Sequence, residues 1–214
     1  VKKALFVTFE GVEGSGKSSQ IANVFEYFTQ KKLRVIQTRE PGGTPLAEKI
    51  RELIIHQNEE PLSLRAEVLL MQAARAQHVD QLIQKNLHAV DLILCDRYTD
   101  STIAYQGGGR KMDADWLKQL NKFSTASISP DVTFLMDLKI ADSQNRIQVR
   151  KKRTSPQHTD RFEIENTDFH ENIRETYLNL AKQEPNRIVL LNAMEKPQHI
   201  LKIIVTEIEK RLTQ

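Results

Sequence analysis

The chain has 214 residues, room for one domain with a substantial core. At 39% apolar and 28% charged residues, and with no apolar run near the ~20 residues that cross a bilayer, its composition excludes a membrane-spanning helical protein. Its one cysteine, Cys95, excludes an intrachain disulfide and suits a reducing cytoplasm; its six histidines lack metal-ligand spacing, and a net charge of only +3 argues against a nucleic-acid partner.

In chain order, Lys2 and Lys3 precede a short apolar stretch, Ala4–Phe9. It is too short for a signal-peptide core and runs into Glu10, so it predicts a first strand. Residues 11–18 follow as Gly11-Val12-Glu13-Gly14-Ser15-Gly16-Lys17-Ser18, a match to G-x-x-x-x-G-K-[ST]. The residue types have a chemical reason. Glycines let successive backbone N–H groups turn inward around phosphate oxygens, and the helix predicted over Lys17–Gln30 adds its positive N-terminal end. Lys17 is expected to reach the β- and γ-phosphates of ATP, and Ser18 to offer its hydroxyl to Mg²⁺.

A second strand, Leu33–Gln37, leads into the loop Thr38-Arg39-Glu40-Pro41-Gly42-Gly43-Thr44 and a helix over Leu46–His56. Arg39 and Arg51 there can add positive charge. Leu64–Lys85, free of Gly and Pro, predicts one long helix. The third strand, Val90–Cys95, ends in Asp96-Arg97-Tyr98. An acid in that position holds the metal in P-loop enzymes, directly or through water. Asp137, after the strand Val132–Met136, is the rival candidate, and Asp96 is preferred because Arg97 beside it can bind an acceptor phosphate. Between these strands lie helices at Thr99–Tyr105 and Trp116–Phe123, with a turn at Gly107–Gly109.

The helix Ala141–Arg150 runs into a basic segment: Arg146, Arg150, Lys151, Lys152 and Arg153, with no acid among residues 143–153. Removing those five charges leaves −2 over the rest of the chain, so the positive excess is local and points to one anionic ligand. With the polar stretch after it, the segment at about 146–162 has the layout of a lid that brings arginines over phosphates. Helices at Thr167–Lys182 and Pro197–Arg211 flank the last strand, Ile188–Leu191.

Five nearly continuous apolar strands separated by helices predict an α/β fold: a five-stranded parallel sheet with helices on both faces, and a site at the carboxyl ends of the strands. The whole chain, 1–214, reads as a single P-loop domain.

Together these stretches resemble the thymidylate kinase family. The match runs through Phe9–Ser18, Thr38–Thr44, Ala73-Ala74-Arg75, Asp96-Arg97-Tyr98, Ser101-Thr102, Ala104–Arg110, Pro130-Asp131 and Asp160–Glu163, in the family's order. The resemblance implies a nucleoside-monophosphate-kinase-like fold, a homodimer, and transfer of phosphate from ATP to dTMP with Mg²⁺. By position it implies that Glu13 meets the sugar 3′-hydroxyl region, that Arg39, Arg51 and Arg97 surround the acceptor phosphate, and that Arg75 hydrogen-bonds the thymine edge. Thr102 would sit beside the base, with Ser101 and Gln106 in the same site, and Tyr105 would crowd the 2′ position. Met71 stands where family members often stack an aromatic ring on thymine. Gly14 occupies the P-loop position that is arginine in one group of the family. This chain therefore resembles the bacterial group that supplies the charge from the lid, with Arg150 and Arg153 the catalytic candidates beside Lys17 and Arg97. Two alternatives stay open: a kinase for another monophosphate such as dUMP, and a non-catalytic nucleotide switch.

Overall fold

A computed structural model describes residues 3–56, 60–153 and 160–213. Five parallel strands form one sheet in the order β2-β3-β1-β4-β5: β1 Leu5–Glu10, β2 Val35–Arg39, β3 Leu92–Asp96, β4 Val132–Asp137 and β5 Ile188–Asn192. Each strand runs one or two residues further than its apolar run. The reason is the ladder: Phe9 and Arg39 both pair in register with Asp96, so polar strand ends stay hydrogen-bonded after the apolar side chains stop.

The sheet's two faces divide by the alternation of side chains along a strand. Val7 and Phe9 pack in the main core with Ile21, Val24 and Phe28 of α1 (Lys17–Gln30) and Ile204 and Ile208 of α9 (Pro197–Leu212). Phe6, Ile93 and Cys95 face the other way, against Val79, Ile83 and Tyr98. Cys95 is buried there, and burial pushes its thiol well above the ordinary range, as a packing residue rather than a nucleophile. β1 therefore delivers Glu10 to the second face and then releases the chain into the P-loop.

Local chemistry starts the helices. Thr44 caps α2 (Pro45–Ile55) by accepting from the Ala47 N–H, with Pro45 in the first turn. Ser63 caps α3 (Leu64–His78) in the same way, through Ala66. Two segments differ from a uniform helix. After α3 the chain widens into a π-helical turn, Val79–Ile83, before the short α4 (Gln84–Asn86). After α5 (Thr99–Thr102) it does so again, over Ile103–Gly109. The turn expected at Gly107–Gly109 is therefore corrected: these glycines close a π-helical segment. Packing explains them. A side chain on Gly108 would meet Thr176 and the Asn172 carbonyl, and one on Gly109 would meet the Phe169 ring, so α8 (Thr167–Gln183) can lie directly on this segment.

The remaining helices are α6 (Ala114–Ser124) and α7 (Ile140–Arg153), with a 3₁₀ turn at Arg161–Ile164. Of the segment read as a lid, residues 154–159 lie outside the described residues.

Candidate active site

The carboxyl ends of β1, β2 and β3 open into a cavity of about 570 Å³, within the range of small-molecule sites. Lys17 and Ser18 line it beside Arg39, Arg51 and Met71. Arg75, Asp96, Arg97, Ser101, Thr102, Tyr105 and Gln106 also line it, as do Arg146 and Arg150 of α7. Loops and helices distant in sequence thus bring most of the predicted site residues to one place.

At one end is the P-loop. Gly11 has φ 136°, and a Cβ there would stand 2.5 Å from the Met136 carbonyl oxygen, so only glycine lets the loop leave β1 against β4. The Lys17 ammonium is folded onto the loop, donating to the carbonyls of Gly11 at 2.9 Å and Val12 at 3.2 Å. Burial and the nearby Arg97 charge pull it down to about 8. Arriving phosphate oxygens would exchange two neutral carbonyls for a negative partner.

Next to it, Ser18 Oγ donates to Asp96 Oδ2 at 3.2 Å, while Asp96 Oδ1 is buried and has no hydrogen-bond partner among the described residues. Asp137, the rival acid, is held by Arg174 through two bonds of 2.7 and 2.9 Å. No cluster of three or more His, Cys, Asp or Glu among the described residues could hold a metal alone. One carboxylate with an open oxygen beside a hydroxyl is a donor set that fits Mg²⁺, which keeps several waters and completes its shell with substrate phosphates.

In the middle sits Arg97, in a left-handed backbone conformation at φ 68° that costs a non-glycine residue on the order of 1–3 kcal/mol. Two bonds hold that turn: Arg97 N–H to the Phe9 carbonyl at 2.9 Å, and Tyr98 N–H to Glu10 Oε1 at 2.7 Å. The guanidinium pairs with Glu13 at 2.8 Å and lies 4.9 Å from the Tyr105 ring centre. Tyr105 Oη donates to the same Glu13 oxygen at 2.6 Å. Burial pushes the Glu13 carboxyl up, but the charges of Arg97 and Lys17 and the Tyr105 hydroxyl outweigh it and hold it below its ordinary value.

At the far end Arg75 is buried, with four of its five N–H donors engaged in the bonds that follow. It donates to Glu40 at 2.6 Å, Asn121 at 2.7 Å, Thr102 at 2.8 Å and the Tyr98 carbonyl at 3.0 Å. Glu40 also meets His78 Nδ1 at 2.9 Å, and His78 Nε2 meets Thr38 Oγ1 at 2.7 Å.

This layout has counterparts. The family model described as Thymidylate kinase matches residues 9–204. The chain belongs to the thymidylate kinase family. A thymidylate kinase of Protochlamydia amoebophila is 41% identical over 211 residues, 98% of this chain and 94% of that one. One of Magnetococcus marinus is 41% identical over 206 residues, 96% of each chain. The crystal structure of thymidylate kinase from Ehrlichia chaffeensis superposes with a TM-score of 0.74 at 29% identity, covering 94% of this chain and 99% of that one.

Several residues in this family member's site had no role assignable from the sequence. Glu40 lies in a stretch that carries the family resemblance, and the structure makes it the buried acid that fixes Arg75 and His78. Tyr177 comes from α8 and reaches Ser101 Oγ at 2.8 Å and Glu10 at 2.7 Å. Phe162, from the 3₁₀ turn, packs edge-on against Tyr105 with ring centres 5.7 Å apart. Their partners lie tens of residues away, beyond any local spacing rule.

The basic α7 is placed differently from a free cationic face. Arg146 donates to the carbonyls of Gly14 at 3.2 Å and Ala193 at 3.0 Å. Arg150 pairs with Glu163, and Lys151 reaches the same carboxylate at 3.1 Å. The Arg153 side chain lies outside the described residues. Arg39 is bound through two bonds to Glu48, and Arg51 donates to the Pro41 carbonyl at 2.9 Å.

Proposed function

We propose that this thymidylate kinase family member transfers the γ-phosphoryl group of ATP to dTMP, giving ADP and dTDP, in the cytoplasmic synthesis of dTTP. The observation that carries the reading is the single cavity that has Lys17 and the P-loop at one end, Arg97 with Glu13 and Tyr105 in the middle, and Arg75 at the other.

The acceptor is already an anionic phosphate, so no strong base is needed. The barrier is the approach of two polyanions, and positioning with opposed charge lowers it. Residues Gly11 to Ser18, with Val12, Gly14, Ser15 and Gly16 supplying backbone N–H groups, cradle the donor phosphates, and Lys17 moves from its loop carbonyls to them. Ser18 and Asp96 would hold Mg²⁺, directly or through water, and the ion would supply charge neutralisation for the phosphates. Arg97, Arg39 and Arg51 surround the acceptor phosphate. Glu13 takes the sugar 3′-hydroxyl, and Tyr105 blocks a 2′-hydroxyl. Met71, Arg75, Thr102 and Gln106 line the base end, and Ser101 lies beside Arg97. Arg146, Arg150 and Arg153, in a lid at about 146–162 on a single domain, add the charge that Gly14 does not supply.

A homodimer belongs to the same reading. Leu64 and Leu69 of α3 are 45% and 57% exposed, an apolar edge that a second copy would cover. Light scattering coupled to size exclusion checks it; a monomer at micromolar concentration would sink that part.

The test of the reaction is ADP release with dTMP, dUMP, UMP and thymidine side by side. A preference for dTMP is expected. Preference for thymidine would remove Arg97 as a phosphate ligand, and ADP formation indifferent to any acceptor would replace the kinase with a nucleotide switch.

A further inference from the structure

Glu10 is the last residue of β1 and is fully buried, one position before the P-loop. All four of its contacts come from donors. Oε1 accepts from the Tyr98 N–H at 2.7 Å and the Ser101 N–H at 3.3 Å. Oε2 accepts from Ser101 Oγ at 2.6 Å and Tyr177 Oη at 2.7 Å. The two hydroxyl oxygens are 2.8 Å apart, and Arg97 Nη1 donates to both at 3.3 Å. Arg97 Nη2 goes to Glu13 instead. The guanidinium is thus fixed from two sides: a carboxylate, and a pair of hydroxyls standing on a second carboxylate.

Proton direction makes that second side work. An ionised carboxylate only accepts, so the hydroxyl protons of Ser101 and Tyr177 point toward Glu10, one directly or through the other. Their lone pairs then face Arg97. Glu10 also holds the Tyr98 N–H, the peptide that follows the left-handed Arg97.

We infer that Glu10 is a positioning residue for phosphoryl transfer: through Ser101 and Tyr177 it holds the Arg97 guanidinium where the acceptor phosphate arrives. This rests on the reading of Arg97 as the phosphate ligand and adds a fully buried carboxylate, itself not lining the cavity, to what the reaction needs.

Glu10→Gln is the discriminating change because it keeps the shape. The amide oxygen still accepts from the Tyr98 and Ser101 N–H groups, but an NH₂ stands where Oε2 was. The hydroxyls then accept from it, and their protons turn toward Arg97, donor against donor. The expected result is a loss of about 10- to 100-fold in kcat/KM for dTMP, of the size that misplacing a catalytic group by an ångström produces. KM for ATP should stay within about twofold and Tm within a few degrees, since the P-loop backbone is untouched. In an Arg97→Ala background the same substitution should cost less than about twofold more, because residues acting as one unit are not additive. Tyr177→Phe should show a smaller loss on the same parameter.

Wild-type kcat/KM in folded Glu10→Gln overturns the inference, as does an equal loss in the Arg97→Ala background. If Glu10→Gln does not fold, Tyr177→Phe and Ser101→Ala carry the test, and unchanged acceptor kcat/KM in both overturns it. A wild type inactive on dTMP would instead sink the reaction assignment; calorimetric binding of dTMP to the same variants then reads the same cycle.

Discussion

The two ends of the cavity are built on opposite principles. At the base end, Arg75 is 3% exposed and shares Glu40, Asn121, Thr102 and the Tyr98 carbonyl, so nothing remains to be arranged before a ligand arrives. At the phosphate end the cations rest on substitutes: Lys17 on loop carbonyls, Arg39 on Glu48, Arg150 on Glu163. The difference follows from the chemistry of each part. A base presents the same neutral edge throughout a reaction, so its partners can be locked, and buried polar groups must be locked or they cost stability. Charge on the phosphates moves during transfer. Cations resting on substitutes can follow that charge, whereas Arg97, held by Glu13, Ser101 and Tyr177, offers a fixed point to the arriving acceptor.

The contrast can be broken where it is sharpest. Glu40→Gln leaves the Arg75 charge buried without its carboxylate and is expected to cost roughly 3–5 kcal/mol of stability. Denaturant unfolding measures it, and a loss under 1 kcal/mol would mean the base end is not prebuilt as described. Lys17→Ala is the opposite case. Folding stability should hold, because the ammonium satisfies only carbonyls, while kcat/KM should fall at least ~100-fold, about 2.7 kcal/mol. Near-normal turnover in a folded variant would take Lys17 out of the mechanism.

Between the two ends stands Glu10, which sharpens the comparison through pH. Burial, then the charge of Asp100, pushes its carboxyl up to about 7, against the pull of Arg97 and the hydroxyls of Ser101 and Tyr177; the Glu10 charge in turn acts to raise Lys17. The ionised form is the one that orients the hydroxyls. As pH falls through about 7 the protonated fraction grows, and kcat/KM for dTMP should fall, by about tenfold at pH 6. Glu10→Gln should be flat over that range apart from the titration of the dTMP phosphate, which both proteins share. An identical acid limb in both would remove Glu10 as its source. The smallest effect belongs to Glu48→Gln, which frees Arg39 from an exposed pair worth at most about 1 kcal/mol. KM for dTMP should drop by about twofold, and a tenfold change in either direction would show that Arg39 is not merely parked.

Much of this is legible in the sequence. Residues 11–18 and the acid–arginine pair at 96–97 advertise themselves because phosphate binding demands particular residue types at fixed local spacing. The strand ends were misplaced by a residue or two, since apolar runs stop before the hydrogen-bond ladder does. The π-helical turns at 79–83 and 103–109 have no sequence period of their own, and the three glycines carry a turn's composition although their function is to let α8 pack closely.

What the sequence alone determined is therefore the order of strands and helices, the phosphate-binding chemistry and the family to which it points, all carried by short-range pattern. Tertiary structure alone decided which acid each arginine meets. Arg97 sits on Glu13, 84 residues away, instead of on its neighbour Asp96, and Arg75 sits on Glu40, 35 residues away. Parallel strands joined by long crossovers bring distant residues to one edge of the sheet, and a buried charge takes whichever partner that edge presents.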